Sequence, residues 1–135
     1  MYYGKCLCGD VTIEVSGEIT EIIHCHCSLC RKNSGTAFAT NGFINTSDLK
    51  ITSGKSKLGV FSFKAGRYRH FCRKCACPVY SSNDNDPKRL RLRLGILDSQ
   101  ITERPSAHIF VASKANWELP TADLPSYSEF EPNRK

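Results

Sequence analysis

Residues 4–11 read GKCLCGDV, and residues 72–75, far along the chain, read CRKC. Each segment offers two cysteines beside turn-forming or basic residues, which is the pattern of a zinc knuckle. Together they supply four thiolates, enough for a closed tetrahedral metal site with no open position. We therefore predict a structural metal site that fastens the N-terminal segment to the middle of the chain and contributes to folding, although the spacing alone leaves other combinations of cysteines open. The predicted ligands of this site are Cys6, Cys8, Cys72 and Cys75.

The residues after the first knuckle alternate between apolar and polar side chains. Val11, Ile13 and Val15 lie on one face of the predicted segment, which is the period-two pattern of a half-buried strand. Helical periodicity is scarcely visible, so the sequence predicts a mainly β fold of antiparallel sheets. Further strands are predicted over residues 19–24, 36–44, 49–52, 58–63, 68–71, 89–94 and 107–112.

The length of 135 residues is that of a domain able to bury its own core, and we predict a single zinc-binding domain over residues 1–135. Prolines and polar residues from Pro120 onward predict a partly irregular C-terminal tail over residues 120–135. Residues 2–5 show no leader pattern, and no apolar run approaches the roughly 18 residues of a membrane span. We therefore expect a cytoplasmic protein that does not bind membranes.

The chain has eight cysteines, an even number that is also typical of secreted proteins with disulfides. The pairs at 6/8, 25/27 and 75/77 are separated by one residue, a spacing that strains a mutual disulfide but suits two thiolates on one metal ion. We therefore favour metal binding over disulfides or free thiols. The formal charge of +6 is typical of nucleic-acid binding, but seven thiolates around two Zn²⁺ would halve it. Nucleic acid is thus a disfavoured partner, and a small anionic substrate is favoured.

Residues 25–30 read CHCSLC and place three thiols within six residues. Three protein ligands and an open position are the pattern of a catalytic zinc, so Cys25, Cys27 and Cys30 are the predicted catalytic site. The alternatives are a structural site whose fourth ligand is His24, His26 or Cys77, and a cysteine nucleophile with a histidine base. A zinc ion with three thiolates activates water poorly, and we expect it to hold the thiolate of a small substrate instead.

The motifs at residues 4–11, 25–32 and 71–75, in this order, closely resemble the glutathione-dependent formaldehyde-activating enzyme (GFA) family. The likeness continues through residues 95–98, 108–111 and 114–117 and covers most of the chain. The resemblance implies a CENP-V/GFA-type zinc domain with a β-tent (Mss-four-like) fold and two zinc ions. One would be structural, at the four knuckle cysteines, and one catalytic, at residues 25–30.

The resemblance also implies a reaction. Family members join glutathione, a small thiol, to formaldehyde as S-(hydroxymethyl)glutathione, formally a carbon–sulfur lyase reaction. We therefore expect a zinc-dependent enzyme that acts on a small thiol adduct, with glutathione as the leading thiol. The alternative is a non-enzymatic zinc-binding module for protein or nucleic-acid interaction. The sequence leaves the oligomeric state open.

Several residues depart from the family pattern or admit two interpretations. Ala76 follows the last knuckle cysteine where the family usually has glycine, which costs about 1 kcal/mol if the backbone there is left-handed. Cys77 is an additional cysteine, and we expect it to pack as a small apolar side chain. Five arginines alternate with other residues along two predicted strands. They could bind the carboxylates of glutathione or a nucleic-acid backbone, but alternating charges are typical of a strand face exposed to water, and we expect such a face here. These arginines are Arg67, Arg69, Arg89, Arg91 and Arg93.

Overall fold

The structure is a computed structural model that describes residues 1–132 and 134. The predicted tail also includes residues 133 and 135, which lie outside the described residues. The described part contains ten strands and one α-helix. In chain order they are β1 (Tyr2–Lys5), β2 (Thr12–Val15), β3 (Glu21–Cys25), α1 (Ser28–Ser34), β4 (Ala39–Asn45), β5 (Leu49–Ser53), β6 (Leu58–Lys64), β7 (Arg67–Cys72), β8 (Pro78–Asn83), β9 (Arg89–Arg93) and β10 (Ala107–Ile109).

The strands form two sheets. The smaller sheet has the order β1-β2-β5, and the larger has the order β10-β3-β4-β9-β8-β7-β6. All strand pairs are antiparallel except β10 with β3, which is parallel because the chain crosses over between them. The prediction of a mainly β fold is confirmed. No helix in the described part is long and apolar enough to span a membrane.

The larger sheet is covered on both faces. Ile22 and Ile23 are neighbours in β3 and therefore point to opposite faces, yet both are buried. Ile22 packs in a cluster with Ile13 and Val15 of the smaller sheet. Ile23 packs in a second cluster on the other face, with Cys30 of α1. The second face holds the candidate site. The helix α1 and the C-terminal segment, which the sequence pattern did not reveal, cover this face.

Two differences from the predicted elements have local causes. The helix α1 was not predicted, because seven residues are too few to show a 3.6-residue period. It begins after Cys27, whose Sγ accepts a hydrogen bond from the Cys30 amide, and ends at Gly35 in a left-handed conformation (φ 70°). Consequently the strand predicted over residues 36–44 begins only at Ala39. The strands β1 and β8 were also missed.

The C-terminal segment is irregular but well connected to the sheet. Backbone hydrogen bonds join residues 125–129 to residues 108–112, next to β10. Ser126 also forms an isolated parallel β-bridge with His108. The segment therefore extends the cover of the second face.

Candidate metal centres and the adjoining cavity

The two knuckle segments meet at one point of the fold. Their four Sγ atoms all lie within 4.8 Å of one another, and the structure contains no disulfide among them. Each knuckle is closed by a tight turn, with the Gly9 amide donating to the Cys6 carbonyl and the Ala76 amide donating to the Cys72 carbonyl. This geometry suits a closed site of four soft ligands. The members of this four-cysteine cluster are Cys6, Cys8, Cys72 and Cys75.

The four-cysteine cluster joins the two sheets. Cys6 directly follows β1 of the smaller sheet, and Cys72 is the last residue of β7 in the larger one. An ion pair strengthens the junction, because Lys74 Nζ of the second knuckle lies 3.2 Å from Asp10 Oδ2 of the first. Lys57 Nζ lies 2.6 Å from the same oxygen, and its hydrogen bond is the main reason that the pKa of Asp10 is lowered.

The two departures at the second knuckle have structural counterparts. Ala76 has φ 63°, in the left-handed region where glycine is favoured. Alanine at this position therefore destabilises the backbone relative to glycine. Cys77 is not a member of either cysteine cluster. Its half-buried side chain packs against the core beneath the smaller sheet, and burial raises the pKa of its thiol.

The second cluster lies where β3 meets α1. Cys25 ends the strand, Cys27 caps the helix and Cys30 lies in its first turn, and their three Sγ atoms lie within 4.8 Å of one another. Among the described residues, no further cysteine, histidine or carboxylate joins this group. His24 instead contacts Thr40 Oγ1 at 2.9 Å. The arrangement is a three-cysteine cluster with one side free of protein ligands.

The charges of the three thiols are linked. The pKa of Cys30 is lowered, first because the thiols of Cys25 and Cys27 donate hydrogen bonds to its thiolate. The pKa of Cys25 is raised, because its thiol is a donor to Cys27 and Cys30 and because it is buried. Three adjacent thiolates repel one another, so all three ionise together only beside a cation. The donor set therefore fits a soft divalent metal ion.

A pair of histidines supports the three-cysteine cluster from behind. His26 is fully buried, its amide donates to the Ile109 carbonyl at 2.9 Å, and its Nε2 lies 2.8 Å from His108 Nδ1. Burial, followed by the neighbouring His108, lowers the pKa of His26 to about 4. Its ring does not line the cavity described below, so the geometry indicates that it orients the loop between Cys25 and Cys27.

A cavity of about 260 Å³ opens beside the three-cysteine cluster and is lined by all three of its members. Arg69 contacts the cluster, with Nη2 3.9 Å from Cys30 Sγ. Phe110 forms part of one wall with a left-handed backbone (φ 57°), and its ring meets the edge of Phe130 at 4.8 Å between centroids. The basic residues of the wall are Lys64, Arg67, Arg69, Arg91 and Arg134, and the aromatic ones are Phe63, Phe110 and Phe130.

The expectation of a solvated arginine face is wrong. Arg69 and Arg93 are only 9% and 6% exposed, and Arg91 lines the cavity. The reason is that this face of the larger sheet lies beneath α1 and the C-terminal segment, which the alternation of leucine and arginine in β9 does not reveal. Arg93 is held by Asn41 Oδ1 at 2.6 Å and by Asn33.

Sequence reasoning missed the aromatic wall and the contribution of the C-terminal segment. Phe63 lies in the sequence LGVFSFK of β6, where nothing in the pattern distinguishes a cavity-lining aromatic residue from any other strand residue. Phe130 and Arg134 lie in a region whose composition indicates only irregular structure, and their place in the wall depends on pairing with residues far back in the chain.

The fold and the two clusters define a class: a mainly β protein with two cysteine sites that could hold metal ions. A family model described as "Glutathione-dependent formaldehyde-activating enzyme" matches residues 1–113, and the chain belongs to this family. The resemblance seen in the motifs is thereby confirmed. The match ends before the C-terminal segment that contributes Phe130 and Arg134 to the cavity.

Individual relatives agree with this family. A protein of Emericella nidulans named "Putative glutathione-dependent formaldehyde-activating enzyme" is 31% identical over 78 residues, which are 58% of this chain and 40% of that protein. A Halomonas elongata protein of the same name is 24% identical over 121 residues, 84% of this chain and 77% of its own length. A crystal structure of a Rhodobacter sphaeroides protein superposes with a TM-score of 0.63 and 26% identity, covering 76% of this chain and 97% of its own.

Proposed function

We propose that the chain is a zinc-dependent carbon–sulfur lyase-type enzyme that joins glutathione to formaldehyde or a related aldehyde, as an S-(hydroxymethyl)glutathione synthase does. The observation that carries the proposal is the three-cysteine cluster with a side free of protein ligands, which opens onto a basic cavity. The family match supports glutathione and formaldehyde as the substrates. The proposal includes the β-tent (Mss-four-like) assignment and a cytoplasmic location, where thiols stay reduced.

The two cysteine clusters have different parts in this proposal. Four cysteines satisfy all tetrahedral positions, so a zinc ion at Cys6, Cys8, Cys72 and Cys75 would be structural. Cys25, Cys27 and Cys30 would hold the second ion, whose chemical contribution when bound would be to lower the pKa of a substrate thiol. Arg69, 3.9 Å from Cys30 Sγ, offsets the negative charge of the thiolates.

The chemistry needs few other groups. Thiolate sulfur adds to the carbonyl carbon of the aldehyde, a carbon–sulfur bond forms, and the proton lost by the thiol ends on the former carbonyl oxygen. The cavity walls hold the thiol in position for this addition and limit the access of water. No redox cofactor is needed, because the addition is redox-neutral.

Exchange spectroscopy by NMR tests this function. The measured quantity is the rate of exchange between glutathione and its formaldehyde adduct, and we expect zinc-loaded protein to raise it above the rate without protein. Cys27→Ser removes one cluster member and should abolish the acceleration, whereas Cys77→Ser changes a thiol outside both clusters and should retain it. Exchange that is unaffected by the native protein would favour the alternative of a non-enzymatic zinc-binding module.

A further inference from the structure

The strand register gathers arginines from separate strands into one wall of the cavity. Arg91 of β9 is paired with Ser81 of β8, and Ser81 is paired with Arg69 of β7, so the three side chains lie in one row across the sheet. Arg67 lies two residues before Arg69 and shares its face. The row begins beside Cys30 and leads away from it, so the cavity has a cysteine end and an arginine end.

None of the three cavity arginines forms an ion pair with a carboxylate among the described residues, and Arg69 contacts the sulfur of Cys30 instead. Five basic side chains line the cavity and no carboxylate does, and among the described residues only Arg134 of the five forms an ion pair, with Glu131. Two guanidinium nitrogens, Arg67 Nε and Arg91 Nη1, are buried without a hydrogen-bond partner in the described part of the chain. Buried cations without partners are costly, and such groups in a cavity indicate an anionic ligand.

Aromatic rings hold these guanidinium groups in place. The Cζ atoms of Arg67 and Arg69 lie 5.7 and 4.6 Å from the centroid of the Phe63 ring, and that of Arg91 lies 5.1 Å from the Phe43 ring. Cation–π contact fixes the guanidinium positions but leaves their charge uncompensated. The arginine end is therefore organised before a ligand arrives.

The other two arginines of the alternating pattern are already engaged. Arg89 Nε pairs with Asp86 Oδ2 at 2.9 Å, and Arg93 donates to Asn41 and Asn33. Neither lines the cavity. The structure thus divides the five arginines of β7 and β9 into two that support the fold and three that are available to a ligand.

We propose that Arg67, Arg69 and Arg91 form a carboxylate-binding subsite that selects a thiol carrying two carboxylates. The planar guanidinium group matches a carboxylate with two parallel hydrogen bonds. Arg69 also faces the thiol of Cys30, but Arg67 and Arg91 have no such partner, so a single carboxylate would leave one of these two charges uncompensated. A cavity of about 260 Å³ admits a small molecule but not a polymer. The subsite defines the substrate class of the function proposed above. It rests on that proposed function only for the statement that the bound molecule is a thiol.

Calorimetry with S-methylglutathione tests the subsite separately from catalysis, because this ligand has both carboxylates but no free thiol. Native zinc-loaded protein should bind it, and Arg67→Gln and Arg91→Gln should each weaken binding at least tenfold. Arg104→Gln, which removes an exposed arginine outside the cavity, should leave the affinity unchanged. The dimethyl ester of the ligand should bind the native protein at least tenfold more weakly, a comparison that needs no variant.

The outcomes separate the two proposals. Equal affinity for the acid and the ester, unchanged affinity in both arginine variants, or no binding of S-methylglutathione would each overturn the subsite. Arginine-dependent binding without accelerated exchange would retain the subsite and remove the catalytic function. Accelerated exchange with an uncharged thiol as efficient as glutathione would retain the function and remove the subsite.

Discussion

His26 Nε2 lies 2.8 Å from His108 Nδ1, and this contact joins the loop between two cluster cysteines to strand β10, 82 residues further along the chain. His108 Nε2 in turn lies 3.2 Å from Thr121 Oγ1. These side chains lead from the buried His26, beside the three-cysteine cluster, to the exposed Thr121 of the C-terminal segment. Its position behind the cysteines suits a group that orients metal ligands.

The first prediction concerns this contact. His108→Phe keeps an aromatic ring of similar size but leaves His26 Nε2 without a partner, so we expect about tenfold weaker zinc binding at the three-cysteine cluster. Competition with a chelating dye measures this affinity. Thr121→Val removes only the outer contact and should have a smaller effect. Equal zinc affinity in native protein and His108→Phe would contradict the positioning role.

The second prediction separates the two clusters. Cys75→Ser opens the closed cluster that joins the sheets, and we expect the variant to lose folding, because a structural zinc ion contributes directly to stability. Cys27→Ser should lose one of two zinc ions and stay folded. Metal analysis together with circular dichroism measures both effects. Loss of folding in both variants would rule out a catalytic assignment of the three-cysteine cluster.

The third prediction is a stabilising substitution. Ala76 has φ 63°, and glycine adopts this conformation without the steric penalty that alanine has, so Ala76→Gly should raise the free energy of unfolding by about 1 kcal/mol. Denaturant titration of the zinc-loaded protein measures it. Ala65 lies in the β6–β7 turn with a φ outside the left-handed region, so Ala65→Gly serves as the control and should not stabilise. A lower free energy of unfolding in Ala76→Gly than in the native protein would contradict the proposed backbone strain at Ala76.

The fourth prediction is a pH dependence of stability. Burial alone would raise the pKa of Glu103, but hydrogen bonds from Tyr2 Oη and from the Ile19 amide lower it to about 2. Because this is below the value of about 4.3 in an unfolded chain, the carboxylate stabilises the fold above that pH. The stabilisation is lost as the pH falls from about 4.3 towards 2.

Glu103→Gln removes this contribution. We expect it to lower the free energy of unfolding by about 1 kcal/mol above pH 5, a value reduced for solvent screening of a partly exposed group. The difference from the native protein should shrink as the pH falls towards 2. Thermal unfolding over this pH range measures it, and Tyr2→Phe, which removes one of the donors, should show a smaller change of the same sign. A difference independent of pH would exclude the carboxylate as its source.

Part of this molecule follows from the sequence alone. The spacing of cysteines in residues 6–8, 25–30 and 72–75 predicts three local groups of metal ligands, because cysteines one to three residues apart are within reach of one metal ion. That the first and last of these groups meet in one cluster is decided by the tertiary structure. Alternation in β2 likewise predicts a strand with Ile13 and Val15 buried. The family motifs are equally local.

The tertiary structure decided the rest. A period-two pattern in β9 shows which side chains share a face, but whether water or another layer covers that face depends on distant segments. Here α1 and the C-terminal segment cover it, which turned an expected solvated face into the wall of a cavity. The row of Arg91, Ser81 and Arg69 and the contact between His26 and His108 depend on strand register and on pairing across the chain, which local patterns do not encode.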